Sequence, residues 1–166
     1  ISAWWCFNGG NDFTSYFIKI ENMNNQIYDI SSLHQLSECA RQLLTLSDNR
    51  IFALYGDMGA GKTTLVKYFC HHLKIDDEVT SPTFPIVNEY GNTISEKVFH
   101  FDFYRLSTLE EVEKIGFEMY LNSGKYCFIE WPKIIQYLLP ENCFCIEIKT
   151  YNNRRELVIA GNISNL

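Results

Sequence analysis

The sequence lacks a long apolar run and has few basic residues. No stretch approaches the roughly 20 consecutive apolar residues that a membrane-spanning helix requires, so no membrane segment is expected. Lys and Arg number 14 against 20 Asp and Glu, which gives a net charge of −6. Because non-specific binding to nucleic acid depends on clustered basic residues, this balance argues against it. Any role with RNA is therefore expected to need a partner protein.

Paired cysteines are also absent. Six cysteines are scattered along the chain without a Cys-x-x-Cys pair, at positions 6, 39, 70, 127, 143 and 145. This spacing favours reduced thiols in a cytoplasmic protein over a disulfide framework or a metal site. Cys143 and Cys145 alternate within an apolar strand pattern, so both are expected to face the same side and to pack there.

The most specific feature that the sequence does contain is a phosphate-binding loop, "GDMGAGKT", which fits G-x-x-x-x-G-K-[ST]. Backbone N–H groups of such a loop wrap phosphates, and the amino terminus of the next helix adds partial positive charge. Lys62 is expected to bridge the β- and γ-phosphates, Thr63 to bind Mg²⁺ through its hydroxyl, and Thr64 to donate toward the α-phosphate. The residues expected to bind the nucleotide here are Gly56, Asp57, Met58, Gly59, Ala60, Gly61, Lys62, Thr63 and Thr64.

The order of the expected elements indicates an α/β fold. "RIFALYG" is typical of a strand buried on both faces, and a helical pattern follows the loop. "EKVFHFDFYRL" and "KYCFIEWP" predict further strands, with a helix between them that begins at a capping box of Ser107 and Glu110. "CFCIEIK" and "ELVIAG" predict a hairpin with Asn152 and Asn153 in its turn. The sequence therefore predicts a P-loop NTPase-like, mixed, mainly parallel sheet flanked by helices, with a C-terminal antiparallel hairpin.

The length of 166 residues and the hydrophobic content of 46% are those of one compact domain. We expect a single P-loop ATPase domain at residues 23–166. Residues 1–22 show no clear period and precede Met23, so we interpret them as an N-terminal extension, or as an artefact of cloning or of the assigned gene start. The alternative is an extra edge strand at "SYFIKI".

Two acidic residues are candidates for a magnesium site. Glu130 comes at the end of an apolar strand, where ligands collect in open α/β sheets. Asp102 lies near the end of another strand, and a surface salt bridge is the alternative interpretation for each. His100 and Asp102 share a face of their strand, which fits a general-base pair and a structural hydrogen bond equally well. Trp131 fits either packing or the border of a nucleotide pocket.

Four segments in this order carry a resemblance to one family: "GDMGAGKTT", "SPTFPIVNEY", "HFDFYRL" and "IEWP". Together they resemble TsaE, also known as YjeE, the small bacterial ATPases needed for threonylcarbamoyladenosine modification of transfer RNA. The similarity spans about Ile27 to Ile159. The loop alone is common to many ATPases, whereas the other three segments together are specific to this family.

The resemblance implies roles for particular residues. ATP and Mg²⁺ would bind at the loop, with Thr63 and Glu130 as metal ligands and Asp102 as a second acid needed for hydrolysis. The "SPTF" segment resembles a switch in which Thr83 senses the γ-phosphate, so the residues implied in catalysis are Lys62, Thr83, Asp102 and Glu130. Nucleotide contacts or positive charge are implied for Arg105 and for "RRE" at 154–156, with Arg155 as the nucleotide-binding residue; Arg154 departs from the family's glycine. The adenine is expected near residues 30–33.

The resemblance also implies partners. Family members support a complex of TsaB with the catalytic TsaD, which modifies the adenine of certain transfer RNAs, so this chain would meet tRNA only indirectly. ATP binding would support docking on that complex, and hydrolysis would support continued turnover.

Other classes of nucleotide-binding protein fit the sequence less well. A GTPase is disfavoured because no N-K-x-D segment is present, and an ABC ATPase because no LSGGQ-like signature appears. A small-molecule kinase is the runner-up, although the short "SPTFPIVNEY" leaves little room for a lid. A scaffold that binds ATP and hardly hydrolyses it is the third hypothesis.

Overall fold

The computed structural model describes residues 26–46, 50–82, 85–91, 97–140 and 143–160. These residues form an α/β fold, with one seven-stranded sheet that carries helices on both faces. In chain order the elements are β1 (Ile27–Asp29), α1 (Leu33–Leu46), β2 (Ile51–Gly56), α2 (Lys62–His72), β3 (Val87–Tyr90), β4 (Val98–Asp102), α3 (Leu109–Lys114), α4 (Phe117–Leu121), β5 (Tyr126–Glu130), a 3₁₀ helix (Pro132–Ile135), β6 (Phe144–Tyr151) and β7 (Arg154–Ala160). The region interpreted as an extension, residues 1–22, lies outside the described residues, and so does "SYFIKI".

The sheet has a parallel centre and a C-terminal antiparallel hairpin, as the sequence predicts, and its two edge strands β1 and β3 also pair antiparallel, which the sequence did not predict. Its strand order is β1-β7-β6-β2-β5-β4-β3. The strands β6, β2, β5 and β4 pair in parallel, whereas β7 and β1 on one side and β3 on the other pair antiparallel. The β6–β7 hairpin turns through Asn152 and Asn153, and Asn152 has the positive φ of 46° that such tight turns require.

Each face of the sheet carries its own apolar core. Helices α1 and α2 cover one face, and α3, α4 and the 3₁₀ helix cover the other. Along β2, Phe52 and Leu54 enter the first core while Ala53 and Tyr55 enter the second. This double burial explains the continuous apolar run of that strand. None of the helices formed by the described residues has the length and apolar character needed to cross a membrane.

The cysteines in the described part of the chain are buried and form no disulfide. Cys143 and Cys145 both enter the second core, in agreement with the strand pattern. Burial raises the pKa of Cys39, Cys70 and Cys127 to about 12 in each case. Since the thiolate is the reactive form, these thiols act as packing groups.

The capping box before α3 lies one residue later than the sequence predicted. Thr108 and Glu111 form it, and the Glu111 carboxylate accepts hydrogen bonds from the backbone N–H groups of Ser107 and Thr108 at 2.9 and 3.0 Å. The expectation of Ser107 with Glu110 was therefore wrong by one position, because both pairs have the same spacing. The expected single helix is also divided, since Gly116 has a φ of 71° and separates α3 from α4.

An aromatic cluster joins α2 to the centre of the sheet, and it provides a test of the first core. Phe69 stacks on Phe128 with ring centroids 4.6 Å apart, and it also contacts Phe52 at 5.1 Å. We predict that Phe69→Ala lowers the free energy of unfolding by about 3–5 kcal/mol, because a buried aromatic side chain is replaced by a cavity. Urea unfolding measures the change, with the exposed Tyr137→Ala as control. A loss at Phe69 no larger than the control's would contradict the assigned core.

Candidate nucleotide-binding site

The loop between β2 and α2 is shaped to accept phosphate. Its backbone turns through Gly56, Gly59 and Gly61, all with positive φ. Gly61 is the N-cap residue of α2 and has no side chain to accept from the first N–H groups of the helix. These donors and the positive end of an 11-residue helix therefore face the loop, an arrangement that favours an anion.

Gly56 is constrained by a neighbouring strand as well as by its backbone angle. A Cβ atom at this position would lie 2.6 Å from the backbone oxygen of Ile148 on β6, and the φ of Gly56 is 136°. The loop thus leaves β2 in close contact with the next strand, which only glycine permits.

Lys62 is buried at the start of α2, with 4% of its surface exposed. Its Nζ donates to the backbone oxygens of Gly56 and Asp57, each at 2.8 Å, and lies 4.0 Å from the centre of the Trp131 ring. Burial lowers the pKa of Lys62, while the negative charges of Glu130, Asp102 and Asp57 act in the opposite direction. The ammonium group is therefore held within the loop, against an aromatic face.

Trp131 directly follows β5 and has an unusual backbone conformation. It has a φ of 56°, and Pro132 begins the 3₁₀ helix directly after it. This turn aims the indole ring at Lys62, and Tyr104 packs on it with ring centroids 4.9 Å apart. Trp131 thus borders the loop and also packs against the second core, so its position fits both interpretations.

Glu130 joins the loop to the sheet edge. Strands β2, β4 and β5 run in parallel, so their carboxyl ends meet, and Glu130 pairs in register with Leu54 on one side and Asp102 on the other. The buried carboxylate accepts a 2.7 Å hydrogen bond from Thr63 Oγ1 and lies 2.9 Å from His100 Nε2. A buried carboxylate is stable only with such partners, and the surface salt bridge weighed for Glu130 is not what the structure shows.

Asp102 takes part in a separate set of contacts. Its Oδ2 accepts a 2.6 Å hydrogen bond from Ser81 Oγ, and its Oδ1 accepts one from the backbone N–H of Tyr104 at 3.1 Å. His100 therefore contacts Glu130, and Asp102 contacts Ser81. Ser81 lies two residues before Thr83, which falls outside the described residues together with Phe84.

The oxygen donors at this edge suit magnesium. No group of three or more His, Cys, Asp or Glu side chains that could hold a metal by itself occurs within the described residues. Mg²⁺ in nucleotide sites needs fewer protein ligands, because it binds one or two carboxylates together with phosphate oxygens and water. The Thr63 hydroxyl and the Glu130 carboxylate, in direct contact, fit that requirement.

Arg155 lies elsewhere in the fold. It is exposed on β7, where its backbone N–H donates to Ser31 Oγ at 3.1 Å and its backbone oxygen accepts from the N–H of Ile30 at 2.9 Å. The structure therefore brings Arg155 to the start of α1, the region expected near the adenine. Arg105 and Arg154 are exposed, and Thr64 is half-buried on α2.

Sequence reasoning missed two polar residues near the site. The hydroxyl of Tyr90 on β3 lies 3.5 Å from His100 Nδ1, and the hydroxyl of Ser81 donates a hydrogen bond to Asp102. Val87 and Tyr90 in "VNEY" were a signal for β3, although the sequence analysis took this stretch only as part of the family segment "SPTFPIVNEY". The contacts themselves are non-local, and no spacing rule identifies them.

Comparisons with known proteins agree with this geometry. The family model described as "Threonylcarbamoyl adenosine biosynthesis protein TsaE" matches residues 30–157. The tRNA threonylcarbamoyladenosine biosynthesis protein TsaE of Haemophilus influenzae is 36% identical over 149 residues, which cover 87% of this chain and 94% of that protein. The protein of the same name from Borreliella burgdorferi is 39% identical, over 68% of this chain and 82% of that one.

A solved structure shares the fold. The crystal structure of YdiB from Bacillus subtilis superposes with a TM-score of 0.66 at 27% sequence identity. The match covers 83% of this chain and 86% of that chain.

The contact between Gly56 and β6 predicts a specific sensitivity. We expect Gly56→Ala to reduce stability by more than Gly124→Ala, although both replace a glycine of positive φ. At Gly124 nothing lies within 4 Å of the added Cβ, so only the backbone strain of about 1–3 kcal/mol applies. At Gly56 the clash with a backbone oxygen adds to it. Thermal unfolding of the two variants compares them, and equal losses would argue against the close contact.

The bond from Thr63 to Glu130 predicts a second difference. Thr63→Val has a similar shape but removes the donor from a buried carboxylate, so we expect a loss of about 1–3 kcal/mol in unfolding free energy. Thr63→Ser keeps the hydroxyl and should lose less. Chemical denaturation of both variants measures the effect. If valine were tolerated as well as serine, the hydrogen bond would contribute nothing to the fold.

Proposed function

Because the chain belongs to the TsaE family of threonylcarbamoyl adenosine biosynthesis proteins, we propose that it binds and hydrolyses ATP in support of threonylcarbamoyladenosine modification of transfer RNA. One observation carries the proposal. The phosphate loop is joined to a buried strand-end acid through the 2.7 Å hydrogen bond from Thr63 to Glu130. A loop serving only as a turn would not need a buried carboxylate beside it.

The chain's own residues have defined tasks in this proposal. The N–H groups of residues 56–64 and the amino terminus of α2 hold the phosphates, and Lys62 contacts the β- and γ-phosphate oxygens. Thr63 and Glu130 hold Mg²⁺, and Asp102 is the second acid that hydrolysis needs. When bound, Mg²⁺ neutralises charge that develops on the phosphate oxygens. The protein's contribution is therefore positioning and electrostatic stabilisation.

The segment before β3 is proposed as the switch. Asp102 holds Ser81 by a 2.6 Å hydrogen bond, which fixes the approach to Thr83. Thr83 would sense the γ-phosphate, and Pro82 and Pro85 restrict the backbone around it. Arg155 lies on β7, beside the start of α1, and would contact the nucleotide from the adenine side.

The protein is proposed to act through partners. With a net charge of −6, the chain carries little of the basic surface that direct RNA binding requires. We propose that it joins a TsaB–TsaD complex in the cytoplasm and meets tRNA only through that complex. The activity is assigned to one domain, residues 23–166.

The proposal predicts ATP turnover that is weak alone and changes when TsaB and TsaD are added. Lys62→Ala should weaken ATP binding by about 10- to 100-fold, because a charge-assisted contact of about 1.5–3 kcal/mol is lost. Glu130→Gln keeps the shape and should reduce turnover more than binding. Phosphate release and calorimetric titration measure the two effects. The matched control is Lys67→Ala, an exposed lysine on the same helix.

Each alternative gives a different result in this assay. A kinase would transfer phosphate to a small acceptor and would not respond to TsaB and TsaD. A scaffold would bind ATP with negligible turnover under every condition. Either pattern would overturn the proposed ATPase function.

A further inference from the structure

His100 is a buried polar residue that the proposed mechanism does not use. It lies on β4 and has no exposed surface. Burying an imidazole is costly unless both ring nitrogens find partners. Its Nε2 lies 2.9 Å from Glu130 Oε1, and its Nδ1 lies 3.5 Å from the hydroxyl of Tyr90. The ring therefore bridges the proposed metal ligand and the edge strand β3.

The hydrogen bonds that Thr63 and His100 make to the Glu130 carboxylate end on the same oxygen. Thr63 Oγ1 and His100 Nε2 approach Oε1 from α2 and from β4, respectively. Two donors on one oxygen fix the rotation of the carboxylate. The second oxygen, Oε2, is then kept in one direction for an ion or a water molecule.

The opposite side of the ring meets Tyr90, a residue that is itself anchored by hydrogen bonds. The Tyr90 hydroxyl donates to the backbone oxygen of Thr80 at 2.7 Å and lies within reach of the donors Thr80 N–H, at 3.2 Å, and Asn88 Nδ2, at 3.1 Å. Tyr90 is itself 6% exposed. Since Thr80 directly precedes Ser81, this anchor ties His100 to the approach of the proposed switch segment.

We propose that His100 is a positioning residue that orients Glu130 toward Mg²⁺, with Tyr90 packed against the other side of the imidazole. In the neutral tautomer that suits this role, Nε2–H donates to the carboxylate and Nδ1 is an acceptor. The single proton of the Tyr90 hydroxyl goes to Thr80 O, so Tyr90 holds this side of the ring by packing, with ring centroids 6.1 Å apart, and not by a hydrogen bond. Partners that orient a metal-binding group in this way typically change metal affinity or activity by about 10- to 100-fold when they are replaced. The inference rests on the proposed nucleotide function.

Two amide variants test which nitrogen matters. His100→Gln places its amide nitrogen near the position of Nε2 and can still donate to Glu130. His100→Asn is one methylene shorter, places its nitrogen near Nδ1, and cannot reach the carboxylate. Calorimetric titration of ADP with and without Mg²⁺ gives the Mg²⁺-dependent part of the affinity. We expect His100→Gln to keep it and His100→Asn to lose about tenfold, with ADP binding in the absence of Mg²⁺ equal in both.

Steady-state kinetics adds a second comparison of the two variants, because a merely structural role of His100 would not make His100→Asn and His100→Gln differ. The expected pattern for His100→Asn is a lower kcat together with a KM for Mg²⁺–ATP raised in line with the lost Mg²⁺-dependent affinity, and His100→Gln should restore both. Equal behaviour of the two variants, whether both match wild type or both decline alike, would overturn the positioning role. If wild-type protein itself bound no Mg²⁺–ADP, the proposed function would fail instead.

A measurement on the unmodified protein keeps the inference testable if the variants do not fold. The sequence has four histidines, and of these His100 alone is fully buried, while His34 and His71 are exposed and His72 is half-buried. NMR of protein labelled with ¹⁵N-histidine should therefore show the His100 ring N–H, on Nε2, as the most slowly exchanging of the ring protons, with the Nε2–H of half-buried His72 beside Ser37 O exchanging faster. We expect its resonance to shift when Mg²⁺ is added to the ADP complex. A resonance assigned to Nδ1–H, or one that does not respond to Mg²⁺, would contradict the proposal.

Discussion

The hydrogen bond from Thr63 to Glu130 depends on β2 and β5 lying side by side and in parallel. The loop follows β2 and Glu130 ends β5, so the parallel register of Leu54 with Glu130 brings helix α2 within 2.7 Å of the carboxylate. An antiparallel pairing would place Glu130 at the other end of the sheet. The topology of the central strands is thus the constraint from which the site follows.

The two cores explain how the sheet can hold polar groups at one edge. Phe52, Phe69, Phe128 and Phe144 fill the face under α1 and α2, and Phe101, Phe103 and Phe117 fill the other. The strand ends near these clusters are rigid because their backbones are paired on both sides. Glu130 and His100 emerge from the same strands, so their side chains are positioned by packing that is independent of any ligand.

The parts of the fold that local pattern determines were predictable from the sequence. The strand, loop and helix around Gly56–Thr63 follow from adjacent residues, and so does the hairpin with Asn152 and Asn153. The position of the capping box was missed by one residue. Ser107 with Glu110 and Thr108 with Glu111 both have the three-residue spacing of this motif, so the sequence alone does not distinguish them. The partner of His100 was missed for a different reason. His100 and Glu130 are 30 residues apart in sequence and lie on different strands, so no local sequence rule predicts their contact.

A buried polar network costs stability, and this cost bears on its purpose. Glu130, His100 and Tyr90 occupy positions on paired strands where apolar side chains would pack without the need for partners. Their contacts run from Thr63, at the loop, to Thr80, before the proposed switch. A network that served the fold alone would have no reason to end at a phosphate loop. Its placement agrees with the proposed role of His100, which is to hold Glu130 in one orientation.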